Sequence, residues 1–219
     1  MHRYCVVLLA LASTAALSIA GAQGAAVSAA GGGGCSLNGS ANLTPGLSSS
    51  SQSFTYTFTG SLTSCQSSSA APASGTVEEG QRLTYSGTDS LGNPWTAIYA
   101  EPVATGSGSC ASSTTSGTAV ARWADGTVTV IGYSTSGAAA AVTLQGSVAA
   151  SVVLNLVNRT AGTGTPPATE TVATTRYTPG SDQSAAALAF QPPDPTACNT
   201  AAGVTTAGIS GQVVIGSAS

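Results

Sequence analysis

Short runs of alternating apolar and polar residues set the character of this chain. In Ser53–Gly60, Phe54, Tyr56 and Phe58 fall on one face of an extended segment, and Thr55, Thr57 and Thr59 fall on the other. Period-2 alternation of this kind marks a half-buried strand and places the aromatic residues in a core. Upstream, Cys35, Leu37, Ala41 and Leu43 share a face, and Pro45-Gly46 with a serine run joins the two segments. Cys35 and Cys65 are equidistant from residue 50, so a plain hairpin brings them together. That register sets Leu43, Ala41 and Leu37 beside Thr57, Thr59 and Thr63, with the apolar faces on opposite sides. One extra residue restores the match, because a one-residue slip turns every side chain over. The sequence therefore predicts a bulge or break near Gly60, or a disulfide that crosses between sheets.

A second pattern lies in Thr118–Ser134, where Asp125-Gly126 separates two alternating runs. Read as a two-residue hairpin loop, it pairs Trp123 with Val128 and Ala121 with Val130 on one face. Arg122–Thr129, Val120–Ile131 and Thr118–Tyr133 then form the other. Further strands are expected near 75–79, 82–86, 95–103, 139–147, 151–157, 169–177, 185–190 and 203–216. Gln66–Ser74, Thr105–Gly117 and Arg159–Ala168 read as loops rich in Gly, Ser, Thr and Pro. The run Gln191–Pro195 holds three prolines and cannot be a central strand. The apolar stretch Ala138–Val157 carries polar residues at alternating positions and reads as strand rather than as a membrane helix. With no amphipathic helix and no fixed-period repeat, the expectation is all-β: an antiparallel β-sandwich, Ig-like or jelly-roll-like, held by two disulfides.

The first residues differ from the rest. Met1-His2-Arg3, an apolar Tyr4–Ala20 and the small-x-small Ala20-Gly21-Ala22 have the form of an export signal. Residues 1–22 are read as a signal peptide, with further small-residue cleavage positions as far as Ala30. Residues 23–34 are read as a flexible Ala/Gly-rich segment, and 35–219 as a single domain. A secreted, extracellular protein follows. Cys5 leaves with the leader, and Cys35, Cys65, Cys110 and Cys198 remain. An even count in an exported chain implies two disulfides, with three possible connectivities. Cys35–Cys65 with Cys110–Cys198 is the preferred one, and no pair has metal-ligand spacing.

Composition narrows the chemistry. Of 219 residues only 6% are charged, all five basic residues are arginines, and the only histidine is His2. Beyond the leader the chain has no imidazole and no primary side-chain amine. That excludes Ser-His-Asp and Cys-His nucleophile systems, histidine metal ligation and Schiff-base chemistry. A pI near 4.7 excludes a basic footprint for nucleic acid. No cofactor is expected, and no membrane span remains once the signal is cleaved. Trp95, Tyr99 and Glu101 alternate along one strand face, an aromatic platform beside a carboxylate that suits stacking on a sugar ring; the plainer alternative makes the two aromatics core. Trp123 presents the same choice. Thr88–Asn93 offers oxygen ligands for calcium but only one carboxylate, so a plain turn is the simpler reading. Asn38, Asn42 and Asn158 fit the N-glycosylation pattern.

Cys35-Ser36-Leu37 to Pro45-Gly46-Leu47, and Phe54–Gly60 to Cys65, resemble the start of exported actinobacterial all-β proteins. Arg122–Thr127 is similar to their central Trp-x-Asp/Asn-Gly hairpin. Cys198 to Gly203-Val204-Thr205, with the closing Gly211–Ile215 strand, is similar to their last cysteine and final strand. The resemblance spans most of the chain after the leader. Its motifs are structural, so it implies an exported all-β protein and carries no activity. The expected function is thus a non-catalytic secreted module, envelope-associated or interacting with a partner of unknown identity. The alternatives are a module for cell-wall or extracellular polysaccharide using Trp95, Tyr99 and Glu101, and a two-carboxylate glycoside hydrolase involving Glu101.

Overall fold

The computed structural model describes residues 33–67 and 74–216. The signal-peptide reading of 1–22, Cys5, and most of the segment read as flexible lie outside the described residues. Gly33 and Gly34 do not belong to a flexible stretch: they pair with Ile215 and Val214.

The described residues are all-β apart from one short 3₁₀ helix, Pro195–Asn199. Two long strands, β1 (Gly33–Leu47) and β2 (Gln52–Ser67), open the chain, followed by β3 (Gly75–Glu79). Next come β4 (Arg82–Thr88), β5 (Pro94–Ala100), β6 (Ala104–Gly108) and β7 (Ser112–Trp123). The remainder are β8 (Val128–Ala138), β9 (Ala141–Ala149), β10 (Ser151–Gly162), β11 (Thr169–Ala173), β12 (Gln183–Gln191) and β13 (Val204–Gly216). Strands β1, β13, β12, β9, β8, β7, β3 and β2 pair in that order, and β2 pairs back onto β1. The result is a closed, eight-stranded antiparallel barrel. A separate four-stranded sheet, β11-β10-β5-β4, packs on its outside. The expected sandwich is therefore met only in that flanking contact. The main sheet satisfies its edges by closing on itself, which no local pattern reveals.

Each barrel strand turns one face inward. Leu37, Leu43, Phe54, Phe58, Leu62 and Ile215 belong to the buried interior cluster. The outward positions carry hydroxyls and amides: Asn38, Thr55, Thr114, Ser134, Thr143 and Gln145 are all exposed. This outer wall has the opposite polarity to the apolar band of a lipid-facing barrel. No helix among the described residues is long and apolar enough to cross a membrane. Where they meet the flanking sheet, near Ala119–Trp123 and Val128–Ile131, strands β7 and β8 are covered on both faces. Ala119, Ala121 and Ile131 point into the barrel, while Val120 and Val130 point out against Trp95, Tyr99 and Leu154 of the flanking sheet.

Three local expectations need correcting. The β1–β2 ladder runs regularly from Thr44–Thr55 to Ser36–Thr63, with Leu37 opposite Leu62 and Ala41 opposite Phe58. The extra residue lies between Thr63 and Gln66, where Ser64 has a positive φ of 50°, and not at Gly60. The mismatch read from the sequence is real, but the bulge sits beside the disulfide, leaving the aromatic stretch regular. In the β7–β8 hairpin Arg122 pairs with Val128 and Val120 with Val130, one residue from the expected register. The loop has three residues: Trp123 N–H donates to Thr127 O (2.9 Å), and only Gly126 has positive φ (82°). A two-residue type I′ turn needs positive φ at both central positions. Asp125 instead accepts from the Thr127 N–H (3.0 Å) and hydroxyl (2.6 Å), fixing a type I turn ahead of the glycine. Finally, Thr105–Gly117 is not a loop: it holds β6 and half of β7. Its Ser/Thr/Gly composition suits strands whose outer face is wet.

Both disulfides join as expected, Cys35–Cys65 and Cys110–Cys198. The second ties the β6–β7 turn to the 3₁₀ helix at one end of the barrel. There Ser49 N–H donates to Cys198 O (2.7 Å) and Cys110 N–H to Ser48 O (2.8 Å). The bridges close loops of 30 and 88 residues. In the chain-entropy model they contribute about 3–4 and about 4–5 kcal/mol. Guanidinium denaturation of the paired Cys→Ser variants should reproduce that order, with Cys110→Ser/Cys198→Ser the larger loss. The reverse order would show that native-state packing outweighs loop closure here.

Candidate functional site

The barrel wall is interrupted between β2 and β7. Strand β3 bridges them at one level, through Phe58–Leu62 and Val120–Trp123, and β6 bridges them at another, through Gln52–Tyr56 and Ser113–Ser116. Between β3 and β6 the chain leaves the barrel to build β4 and β5, then returns. The outgoing and returning segments touch: Glu101 N–H donates to Gln81 O (2.9 Å), and Gln81 N–H donates to Glu101 Oε2 (3.1 Å). At the interruption, backbone groups of β2 and β7 lose their strand partners and must be met by side chains. The Gln81 amide donates to Phe58 O (3.2 Å) and Glu79 O (3.0 Å). Glu79 Oε1 accepts from Thr118 N–H (2.8 Å).

Glu79 shares the inward face of β3 with Val77, and it is only 1% exposed. Its carboxylate occupies the space over Gly117, where an added Cβ would overlap Oε1. Oε2 accepts from the Tyr133 hydroxyl, which also contacts the Tyr56 hydroxyl. Tyr56 reaches Thr115 Oγ1 (3.2 Å), and Thr115 reaches Thr135 Oγ1 (2.7 Å). A chain of four hydroxyls thus runs along the inner wall and terminates on a buried carboxylate. Burial drives the Glu79 pKa up to about 7 against the opposing Tyr133 and Thr118 hydrogen bonds, and the Glu101 charge adds to the rise. Burial also raises Glu101 to about 7, and its Oε1 is buried without a hydrogen-bond partner. Tyr56 is raised to about 12 by burial and by Glu79, and Tyr133 is pushed far upward by burial, Tyr56 and Glu79.

Above this cluster the interior is hollow. A cavity of about 150 Å³ is lined by apolar side chains from around the barrel, with the hydrogen-bonded Tyr56, Thr115, Tyr133 and Thr135 as a polar strip and Ser113 and Ser184 also on its wall. The end near the Asp125-Gly126 turn is closed by Trp123, whose indole N–H donates to Thr129 Oγ1 (2.8 Å) and whose ring packs edge-on against Tyr177. Toward the opposite end the lining residues Val142, Leu188, Phe190 and Ile209 are only half-buried, which marks the mouth.

The residues singled out in the sequence fall elsewhere. Trp95, Tyr99 and Glu101 do share one face, but that face packs on the barrel; they are 6%, 0% and 3% exposed. Tyr99 donates to Pro167 O (2.8 Å). A sugar ring has no access to this row, so the structure removes the expected platform. Trp123 is core as well. Glu101 lies near Glu78 and Glu79 electrostatically. It is itself buried and lines neither the barrel cavity nor the two shallow outer grooves. Asp89 accepts from the N–H groups of Leu91, Asn93 and Thr165, which turn positive dipoles toward it where a cation would sit. Among the described residues no His/Cys/Asp/Glu group is arranged to hold a metal ion. Asn38, Asn42 and Asn158 are exposed.

The architecture defines a closed antiparallel barrel with an internal, mostly apolar cavity and a buried polar relay on its wall. No protein-family model, curated protein or solved structure matches the chain. Glu79, Tyr133 and Tyr56 do not stand out as a group in the sequence. Two signals were there: Tyr56 alternates with Phe54 and Phe58, and Val77-Glu78-Glu79 on a strand obliges Glu79 to share the face of Val77.

Raised carboxyl pKa values make stability depend on pH with a definite sign. Folded Glu79 and Glu101 hold their protons up to about pH 7, whereas in the unfolded chain they release them near 4.5. Their contribution is therefore fully present below pH 4.5 and is lost as pH rises through 7, by roughly 2–3 kcal/mol each. Chemical denaturation at pH 5 and pH 8 should show the wild type weaker at pH 8, with Glu79→Gln removing about half of the difference. Equal stability at both pH values would contradict the burial argument. Gly117→Ala forces the Glu79 carboxylate out of place and should cost about 1–3 kcal/mol, the usual range for overpacking.

Proposed function

We propose that the protein is a non-catalytic, exported binding module whose barrel takes up one small apolar molecule. The cavity carries this reading. At about 150 Å³ and lined almost wholly by aliphatic and aromatic side chains, it matches a single ring or a short alkyl group. Eight-stranded barrels have interiors just wide enough to be filled by side chains or to hold one small ligand. The half-buried rim at Val142, Leu188, Phe190 and Ile209 provides entry. The reading of export rests on the leader pattern and is supported by the two disulfides, which persist in oxidising compartments. Catalysis is disfavoured by the chemistry at hand: beyond the leader no imidazole or lysine remains, the cysteines are crosslinked, and the buried carboxylates face structural partners. The likeness to exported actinobacterial all-β proteins belongs to the same proposal.

Benzene is a suitable first probe. Saturating benzene should raise the thermal midpoint, because a ligand that binds only the folded state stabilises it. It should also shift amide resonances of β8, β9 and β12. Leu188→Trp, which places an indole in the cavity, should abolish both effects while keeping the near-UV circular dichroism of a folded chain. A midpoint unmoved by benzene in the wild type, or moved equally in Leu188→Trp, would place binding outside the barrel and refute the reading.

A further inference from the structure

The polar strip of the cavity has a direction, and the direction specifies a ligand group. Each hydroxyl in the strip has one proton to give. With Glu79 ionised, Tyr133 gives its proton to Oε2. Tyr133 is then left as an acceptor, and Tyr56 donates to it. The same logic makes Thr115 donate to Tyr56 and Thr135 donate to Thr115. Thr135, which lines the cavity, ends with its proton committed and its lone pairs free. Resting on the barrel-binding reading, we propose that this relay makes the site select small apolar alcohols, phenols or amines, whose O–H or N–H donates to Thr135, over ketones and ethers of the same size.

Protonation of Glu79 reverses the relay. A neutral carboxyl donates to Tyr133, and each hydroxyl then donates one step outward, until Thr135 presents a proton to the cavity. Thr118 N–H still finds an acceptor at Oε1. The groups facing Glu79 are the Tyr56 and Tyr133 hydroxyls, the Thr118 N–H and the Glu101 carboxyl; Glu78 and Arg122 act on Glu101 from behind. None of the groups in direct contact with Glu79 is a cation, so burial sets the transition, which falls at about pH 7. The two tyrosines stay protonated through this range, because burial raises both. The preference for donors therefore belongs to the alkaline side. Below the transition alcohol and ketone are accepted alike.

Cyclohexanol, cyclohexanone and cyclohexane have nearly the same shape and separate donor, acceptor and purely apolar binding. Dissociation constants from amide chemical shifts should favour cyclohexanol over cyclohexanone by about tenfold at pH 9, one hydrogen bond's worth, and by no more than about twofold at pH 5. Glu79→Gln, whose amide N–H₂ donates to Tyr133 permanently, should show the low ratio at both pH values. Thr135→Val lies at the far end of the relay and does not touch Glu79. It should bring the cyclohexanol and cyclohexanone constants to within about twofold at pH 9, with near-UV circular dichroism showing a folded chain, which covers the case of a poorly folded Glu79 variant. A ratio that is constant with pH and unchanged in Thr135→Val overturns the relay; cyclohexane binding would then leave the barrel reading standing. If none of the three compounds binds, both proposals fail.

Discussion

Everything in the barrel depends on how its one interrupted seam is satisfied. The chain leaves the wall after Glu79 and re-enters at Ala104, and between those points β2 and β7 face each other without a strand to bond to. A buried backbone N–H or carbonyl without a partner costs about as much as a lost hydrogen bond. Gln81 and Glu79 supply the missing partners on the two sides, to Phe58 O and Thr118 N–H. Glu101 fastens the outgoing and returning segments to each other. Closing the seam with a carboxylate carries a desolvation penalty, and the raised Glu79 and Glu101 pKa values are its visible sign.

The same excursion explains why the flanking sheet is inert. Once β4 and β5 are extruded, their apolar face needs cover, and the outer faces of β7 and β8 supply it through Val120 and Val130. Trp95 and Tyr99 are consumed in this contact. Thr115, Tyr133 and Thr135 lie on the same two strands but beyond the doubly packed stretch, where the outward neighbours Thr114, Ser134 and Ser136 are exposed.

A nearly charge-free composition makes sense for such a molecule. Its outer wall stays wet through hydroxyls and amides rather than ion pairs. Among the described residues the ion pairs are Arg122–Glu78 and Arg176–Asp125, both at seams between the layers. The interior, by contrast, concentrates its few titratable groups in one place. A single buried carboxyl can then set the hydrogen-bonding sense of four hydroxyls, because no competing charge lies within the relay.

By itself the sequence determined most of the strands and the inward face of Phe54–Phe58, since alternation and turn residues act over a few positions; cysteine parity implied two disulfides, which join in the preferred pairing. It also signalled that β1 and β2 need an extra residue, because Leu37, Ala41 and Leu43 had to meet Leu62, Phe58 and Tyr56. It did not locate that residue, and it misjudged the Asp125-Gly126 loop by one position, because both depend on backbone torsions that composition leaves open. Only the tertiary structure decided that the main sheet closes, that the Trp95–Tyr99 face is covered, and that Glu79, Tyr133 and Tyr56 meet. Glu79 lies 54 residues from Tyr133 in the chain. Their meeting follows from barrel closure, a pairing of distant strands whose free energy is collective and is written in no single segment.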